Sequence, residues 1–458
     1  MIASPGTVGT VARPPRPLFG QAAWTIGSYG ASLVLRLGSN VILSRLLMPE
    51  ILGTMVVVNS IRYGIELLTD VGIEQNIVVN KDGLEPDFFN TAWTLQIIRG
   101  AFLSAVFMLL TPLLASFYGI DPWLFLTMSF APLLNSLAST SIFVLVKRLE
   151  LRQRNLFELA AELCGFLASV TLALITPTAW APVLGILFAL VARSALSYLL
   201  PHPTHRLVLR RPHVLEILRF GKWIMISSLV IYASTNLDRI YLGKMEMLAV
   251  LGIYGLARTI ADLPPTLANR LSYQLIVPLI ARARAREESI AQGELAIARW
   301  RLVLLAALGM GTAMAWSDCA VGLLYDPRYA AAGWMLFVLL CGAWFAVLSS
   351  LNEAVLLGFG RPAYGSAANA VRFVALATGL PLAYAAVGLT GAVAAISASE
   401  VIRYFAVAVG QRRLGHGFWG QDAAATALTV LVMLGWVLAR DGLSLGLPWS
   451  GIIHAPAP

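Results

Sequence analysis

Long apolar segments separated by short polar connections follow one another along the whole chain. Each segment is close to the roughly 20 residues that an α-helix needs to cross a bilayer. The pattern predicts thirteen helices, at residues 21–47, 51–77, 91–117, 123–146, 155–177, 181–200, 219–243, 249–280, 300–325, 331–358, 366–386, 388–409 and 423–440. We therefore expect an all-α polytopic membrane protein of about 12–14 transmembrane helices.

Composition supports this class and argues against an enzyme. Of the 458 residues, 58% are hydrophobic and only 12% are charged, whereas soluble domains carry about 25% charged residues. No connection between predicted helices exceeds about twenty residues, so a catalytic aqueous domain has no room. We expect no catalytic residue, no bound metal and no cofactor.

Positive charge is concentrated in alternate connections. These contain Arg13, Arg16, Lys81, residues 147–154, 205–213 and 282–287, Arg361, and residues 411–413. The opposite connections contain little beyond Lys244 and Arg328. Basic residues accumulate in cytoplasmic loops, so we expect a cytoplasmic N-terminus. The alternation also argues that the net charge of +9 does not serve nucleic-acid binding.

The two halves of the chain look related. Leu52-Gly53 recurs 199 positions later as Leu251-Gly252, and the same offset places Arg45 on Lys244. Phe117-Tyr118 similarly resembles Leu324-Tyr325, and an Asp-Pro pair follows each of them. An even number of helices per repeat would give both halves the same orientation in the membrane. Parallel repeats of this kind are a transporter architecture with the substrate site between the halves.

This symmetry predicts a domain organisation of two six-helix lobes around a central cavity. The predicted parts are a cytoplasmic tail at 1–20, a first lobe at 21–200, a basic cytoplasmic linker at 201–218, a second lobe at 219–409, and an additional C-terminal helix and tail at 410–458.

Polar stripes run along the first two helices of each half. On the first helix Ser28, Ser32, Arg36, Asn40 and Ser44 recur at every fourth position and therefore share one face. The other stripes contain Arg62, Glu66 and Asp70 on the second helix, Ser228, Tyr232, Thr235, Asn236 and Arg239 on the seventh, and Arg258 and Asp262 on the eighth. An arginine at the centre of a membrane helix costs roughly 2.5–3.5 kcal/mol. Each one should therefore face water or a partner.

Two interpretations of these charges compete. Arg62–Glu66 and Arg258–Asp262 have the i,i+4 spacing of ion pairs that hold helices in place. Alternatively, the arginines line a hydrated cavity and bind an anion, which we favour for Arg36 because its own helix has no acid four residues away. The candidate substrate-binding residues are Arg36, Asn40, Arg62, Asn236, Arg239 and Arg258, and the candidates for coupling to a proton or sodium gradient are Glu66, Asp70 and Asp262. We also expect Pro264-Pro265 to break the eighth helix.

Six segments between residues 41 and 372 carry a resemblance to a known family, and the resemblance as a whole spans about residues 18–410. They are "VILSRLLMPEILGTMVVV" at 41–58, "LLTDVGIEQNIVVNKD" at 67–82, "FFNTAWTLQIIRG" at 88–100, "FGKWIMISSLVIYASTNLDRIYLGK" at 220–244, "LGIYGLART" at 251–259 and "LLGFGRPAYGSAANAVR" at 356–372. The chain resembles the polysaccharide (O-antigen-type) flippases of the multidrug/oligosaccharidyl-lipid/polysaccharide exporter superfamily.

This resemblance implies an alternating-access flippase of the bacterial inner membrane. Its cargo would be an undecaprenyl-pyrophosphate-linked oligosaccharide, such as an exopolysaccharide or O-antigen-type repeat unit, moved from the cytoplasmic to the periplasmic leaflet. The implied partners are this lipid-linked oligosaccharide and membrane lipids, with polysaccharide polymerase machinery as a further candidate.

Three other functions remain open at this stage. A drug or small-molecule exporter of the same superfamily would want an anionic cavity, and the first helix offers Arg36 and no acid. A membrane glycan polymerase or ligase would need longer outer loops than this chain has. A purely structural scaffold would have no reason to keep arginines at mid-membrane.

Overall fold

The computed structural model describes residues 18–148, 150–201, 205–285, 292–415, 417–443 and 446–452. Over these ranges the chain is all-α, with eighteen α-helices, two short 3-10 turns and no strand. Residues 1–17 of the predicted N-terminal tail lie outside the described residues, as do 286–287 of the predicted basic segment at 282–287 and the end of the predicted C-terminal tail at 453–458.

The helices follow the predicted apolar segments closely. They are α1 (Leu18–Leu46), α2 (Pro49–Leu67), α3 (Ile73–Val79), α4 (Pro86–Tyr118), α5 (Pro122–Met128), α6 (Ala131–Ser136), α7 (Ser141–Lys147), α8 (Leu151–Ile175), α9 (Trp180–Ser197), α10 (Arg211–Met245), α11 (Leu248–Ala261), α12 (Leu263–Ala285), α13 (Gln292–Ala315), α14 (Ser317–Leu324), α15 (Ala332–Gly358), α16 (Ala363–Val387), α17 (Leu389–Arg413) and α18 (Trp419–Gly442). Nine predicted segments correspond to one helix each, and the other four are divided into two or three.

The division of the eighth segment has the expected cause. α11 ends at Ala261 and α12 begins at Leu263, directly before Pro264-Pro265. Proline lacks the N–H that would continue the ladder, but it is tolerated in the first turn of a new helix. The predicted break is confirmed, and it lies at Asp262.

One predicted boundary was wrong. The basic linker was expected over 201–218, but α10 begins at Arg211. Pro212 occupies the first turn of α10, and Ile217 is buried against Ile73, Ile77 and Phe88 from α3 and α4. This apolar contact extends the helix through a stretch whose charges suggested a loop.

Eight of the described helices are long and apolar enough to cross a membrane, and the bent pair Pro122–Ser136 with Ser141–Lys147 would make a ninth. α1, α2, α10, α11 and α12 fall outside this set. α1, α2 and α10 carry polar stripes, α11 carries Arg258 and has only 14 residues, and α12 contains several arginines. The all-α membrane fold is confirmed, and the lower number reflects helices that face the protein interior with polar residues.

The two halves of the chain meet most closely where α2 crosses α11. A Cβ atom on Gly53 would lie 1.7 Å from the Leu248 carbonyl oxygen, and one on Gly252 would lie 2.0 Å from the Pro49 carbonyl oxygen. Only glycine at both positions allows the two backbones to approach this closely. Further along the crossing, Val57, Leu251 and Tyr254 are buried in the main apolar core.

The bundle has two chemically different ends. At the short-turn end lie the turns at 47–48, 119–121, 246–247 and 325–326; there Tyr329 donates a hydrogen bond to the Leu47 carbonyl oxygen at 3.1 Å. At the basic end lie the connections at 147–154 and 205–213; there Lys147 donates to the Ile77 carbonyl oxygen at 3.0 Å.

Candidate functional site

A polar cavity of about 500 Å³ lies between the two halves, next to the α2–α11 crossing. α2, α10, α11, α12, α15, α16 and α17 contribute to its wall. We call it the central cavity. Its charged and amide side chains are Asn59, Arg62, Asn236, Arg239, Arg258, Asp262, Arg372, Glu400 and Arg403. Five arginines and two acids therefore line it directly.

A second cavity of about 540 Å³ adjoins the first on the side of α1. We call it the inner cavity. The two cavities share the wall residues Arg239, Asp262 and Thr266 and therefore adjoin. The inner cavity extends to Arg154 and Asn155 at the basic end of α8. Together the two cavities extend from mid-bundle toward the basic end.

The structure brings all six predicted substrate-binding residues into the walls of these two adjoining cavities. Arg36 and Asn40 line the inner cavity, and Arg239 lies at its junction with the central cavity. The other three, Arg62, Asn236 and Arg258, line the central cavity. Their role in binding stays a prediction, but their shared location follows from the polar stripes.

Arg36 has an acidic partner that its own helix did not reveal. Its guanidinium Nη2 lies 2.6 Å from Oε1 of Glu162 on α8, and its Nε donates to the same oxygen at 3.2 Å. The pair remains in the inner cavity, with the Arg36 side chain 69% exposed and that of Glu162 27% exposed. Of the rest of its stripe, Ser32 and Asn40 line the cavity, whereas Ser44 is buried and donates to the Val41 carbonyl oxygen.

The two i,i+4 pairs form as one interpretation predicted, and three of their four members, Arg62, Arg258 and Asp262, also line the central cavity. Arg62 Nη1 donates to Glu66 Oε1 at 2.6 Å. Arg258 lies 3.3 Å from Asp262 and 3.6 Å from the buried Asp238. Asp262 is shared, since Arg239 also donates to it at 3.3 Å. Ion pairing and cavity lining are therefore not alternatives here.

Three charged residues of the second half complete the wall of the central cavity. Arg372 on α16 pairs with Glu400 on α17 at 2.7 Å. Arg403, one turn after Glu400, pairs with Glu353 on α15 at 2.9 Å. The i,i+3 spacing of Glu400 and Arg403 was the available sequence signal, but it does not say whether such residues face a cavity.

Several of these arginines are incompletely satisfied. Within the described part of the chain, the Nε atoms of Arg62, Arg372 and Arg403 are buried and make no hydrogen bond. A buried donor without an acceptor costs roughly 1–3 kcal/mol, and such atoms often mark a place that water or a ligand completes.

The predicted ion-coupling residues do not lie together. Asp262 faces the central cavity, whereas Glu66 and Asp70 line a separate cavity of about 390 Å³ within the first half, beside Arg99 and Arg193. Asp70 accepts hydrogen bonds from the Gly72 N–H at 3.1 Å and the Ser228 hydroxyl at 3.2 Å. In the described ranges, no group of three or more His, Cys, Asp and Glu residues is arranged to hold a metal ion.

Comparison with known families gives a match over most of the chain. The model of a family described as "Polysaccharide biosynthesis protein" matches residues 42–332. The match begins in α1 and ends at the start of α15, so it includes both sides of the α2–α11 crossing.

Two curated bacterial proteins are similar in sequence. The lipopolysaccharide biosynthesis protein WzxC of Escherichia coli is 26% identical over 236 residues, which is 49% of this chain and 46% of that protein. The teichuronic acid biosynthesis protein TuaB of Bacillus subtilis is 24% identical over 307 residues, which is 65% of this chain and 62% of that protein. The chain thus spans about half to somewhat under two thirds of the length of these relatives.

Solved structures share the fold at low identity. The lipid II flippase MurJ in an inward closed conformation has a TM-score of 0.71 at 11% identity, covering 92% of this chain and 100% of that one. An inward-facing multidrug resistance MATE family transporter of the MOP superfamily has a TM-score of 0.63 at 14% identity, covering 88% and 98%. At these identities the similarity establishes the fold alone.

Proposed function

The chain belongs to the polysaccharide biosynthesis protein family, and from this premise we propose that it is a flippase for an undecaprenyl-pyrophosphate-linked oligosaccharide. In this proposal it moves an exopolysaccharide or O-antigen-type repeat unit from the cytoplasmic to the periplasmic leaflet by alternating access. The relatives named for lipopolysaccharide and teichuronic acid biosynthesis, and the MurJ-like fold, support a transporter of this general class.

The observation that carries the proposal is the cluster of arginines on the wall of the central cavity, where three of their pairing acids, Glu66, Asp238 and Glu353, do not line the cavity themselves. Five arginines and two acids line it. A pyrophosphate cannot cross hydrocarbon unaided, because burying its charges without partners is prohibitive. A planar guanidinium offers paired donors that match phosphate oxygens. The buried Nε donors of Arg62, Arg372 and Arg403 suit a ligand rich in acceptor oxygens.

The two adjoining cavities suggest a path for such a cargo. The head-group would enter from the basic end through the inner cavity, past Arg36 and Asn40, and reach Arg239 at the junction. The sugars would stay hydrated among polar side chains while the lipid tail stays in the bilayer. This transport requires no covalent step, so the proposal assigns no catalytic residue and no cofactor.

The finer parts of the proposal follow from the sequence. The domain organisation is two lobes at 21–200 and 219–409 with an additional helix at 410–458, where α18 lies. Asp262 is the coupling candidate nearest the cargo path, because Glu66 and Asp70 line a different cavity. Polysaccharide polymerase machinery remains a candidate partner.

The orientation is itself testable. If the N-terminus is cytoplasmic in a bacterial inner membrane, the basic end faces the cytoplasm and the short-turn end faces the periplasm. A reporter that is active only in the periplasm should be inactive when fused after Arg154, and active when inserted at the 246–247 turn. The reverse pattern would contradict both the orientation and the direction of transport.

A deletion strain tests the function. Lipid extracts should contain an accumulated pyrophosphate-linked oligosaccharide that mass spectrometry identifies, and expression of the chain should remove it. If the strain instead becomes sensitive to cationic drugs and accumulates no lipid-linked glycan, the drug-exporter alternative is correct.

The Arg36–Glu162 pair allows a test of the inner cavity by charge exchange. Arg36→Ala should lower export by roughly tenfold, the effect of one charge-assisted hydrogen bond. Membrane abundance should stay normal, because Glu162 is partly exposed at 27% and can be hydrated. Combining Arg36→Glu with Glu162→Arg rebuilds the ion pair with its charges reversed. Export should stay low in this double variant, and its recovery would show that the pair is only structural.

A further inference from the structure

Two basic side chains reach from one half of the molecule to the other at the short-turn end. Lys244, in the last turn of α10, donates to the Phe117 carbonyl oxygen at 2.7 Å, and its ammonium lies 4.5 Å from the centre of the Phe117 ring. Arg45, in the last turn of α1, donates through Nη2 to the Leu324 carbonyl oxygen at 3.2 Å. Each contact joins the first half of the chain to the second.

These two contacts are equivalent under the internal repeat. Arg45 and Lys244 are 199 positions apart, and the accepting residues Phe117 and Leu324, which are 207 positions apart, are the pair matched by resemblance before the two Asp-Pro sequences. A basic side chain of each half thus donates a hydrogen bond to a helix-terminal carbonyl group of the other half. Reciprocal contacts of this kind are the property of an interface around a two-fold axis.

The glycine crossing independently supports the same axis. Gly53 approaches the Leu248 carbonyl, while Gly252 approaches the Pro49 carbonyl. Gly53 and Gly252 are 199 positions apart, and so are Pro49 and Leu248. The two-fold axis that relates the two halves therefore passes between α2 and α11. It leaves the bundle at the short-turn end, between Arg45 and Lys244.

The electrostatics explain why basic residues occupy these positions. α1, α4, α10 and α14 all end at the short-turn end, and each helix C-terminus carries a partial negative charge. Phe117 and Leu324 lie in the last turn of their helices, where carbonyl groups have no partner within the helix. A cation placed there neutralises two helix ends at once and satisfies a free carbonyl.

Buried side chains lie between this end and the central cavity along α2, α10 and α11. They are Val57, Leu242, Leu251 and Tyr254. The central cavity adjoins the inner cavity toward the basic end, and these buried side chains separate it from the short-turn end. Opening on the other side would have to separate α2 from α11 and break both cation contacts.

The two contacts are not equally reinforced. On the Arg45 side, Arg328 is held by Asp326 at 2.8 Å and donates to the Arg45 carbonyl oxygen at 3.4 Å. The corresponding position after the first Asp-Pro sequence is Trp123, which is 63% exposed. We therefore expect Arg45 to hold its side more firmly than Lys244 does.

We propose that Arg45 and Lys244 are the two symmetric halves of one latch, which closes the central cavity at the short-turn end and must release for the cavity to open there. The proposal rests on the proposed transport function for its purpose, but not for its test. Because each contact is exposed to solvent, the latch is weak enough to open, and both halves break in the same movement.

The test measures access to the cavity from the short-turn side. Cys164, Cys319 and Cys341 are replaced by alanine, and Thr235→Cys places one thiol on the wall of the central cavity. Spheroplasts are then treated with a membrane-impermeant maleimide, and the labelling rate is followed. Arg45→Gln and Lys244→Gln should each raise that rate by about twofold to fivefold, the range for an exposed charged contact.

The double variant is decisive, because two contacts broken in one step multiply their effects. Its labelling rate should approach the product of the two single effects. The exchange Arg45→Lys with Lys244→Arg should keep labelling slow, since both cations remain. Asp441→Asn, a charge change in the last turn of α18, serves as the control and should leave the rate unchanged.

Equal labelling of the parent and both single variants, at equal membrane abundance, would overturn the latch. If the double variant is not recovered in the membrane, the labelling rates of the two single variants relative to the parent decide whether the latch exists. Faster labelling in a strain that accumulates no lipid-linked oligosaccharide when the gene is deleted would retain the latch and refute the proposed cargo.

Discussion

Replacing Arg239 with alanine is expected to lower export by roughly 10–100-fold while the protein stays folded in the membrane. Arg239 lies at the junction of the two cavities, so any head-group on the proposed path passes it. A hydrogen bond to a charged group contributes about 1.5–3 kcal/mol. Removal of Arg239 should not leave Asp262 without a cationic partner, because Arg258 still lies 3.3 Å from Asp262. Export of the glycan and membrane abundance are measured together.

Two further variants make this result specific. Arg239→Lys should recover export only partly, because a point charge replaces a planar guanidinium fork. Arg301→Ala removes an exposed arginine on α13 and should leave export unchanged. Normal export by Arg239→Ala at normal abundance would refute cargo binding at the junction. A large loss of abundance would instead assign Arg239 a structural role.

Replacing Arg299 with alanine is expected to lower the free energy of unfolding by about 3–5 kcal/mol, with a corresponding fall in membrane abundance. Arg299 on α13 is fully buried and pairs with the buried Asp422 on α18. It also donates to Asn352 on α15 at 2.8 Å and to Gln421 at 3.0 Å. Without Arg299, the carboxylate of Asp422 would remain in the interior without its cation.

The same network shows why α18 is an integral part of the bundle. Asp422 also accepts hydrogen bonds from Asn352 at 3.1 Å and from Tyr404 at 2.9 Å. Thermal unfolding in detergent, followed by fluorescence-detected size exclusion, measures the effect. Arg299→Met combined with Asp422→Leu should be more stable than Arg299→Ala, because no unpaired charge remains. Arg301→Ala is the matched control, and equal melting of Arg299→Ala and Arg301→Ala would contradict the prediction.

The sequence by itself determined the membrane class, most helix boundaries and the faces that carry polar residues. Bilayer thickness imposes a minimum apolar length on every spanning helix, so the segments are visible without a structure. Helical periodicity places Arg36 and Asn40 on one face of α1, and both line the inner cavity. The break at Asp262 also followed from local chemistry, since the two following prolines cannot continue a helix.

Only the tertiary structure decided which charges meet. Arg36 and Glu162 are 126 positions apart, and Arg372, Glu400 and Arg403 reach the central cavity from helices whose rotation no spacing within one helix encodes. Glu66 follows Arg62 one turn later on α2, yet it lines a different cavity because α2 borders both cavities. Asp70 lies in the connection after α2, where the predicted second helix is divided. Local periodicity fixes the face of a helix on which a residue lies. The angle and rotation at which helices pack determine what that face contacts, and these depend on side chains along the whole interface.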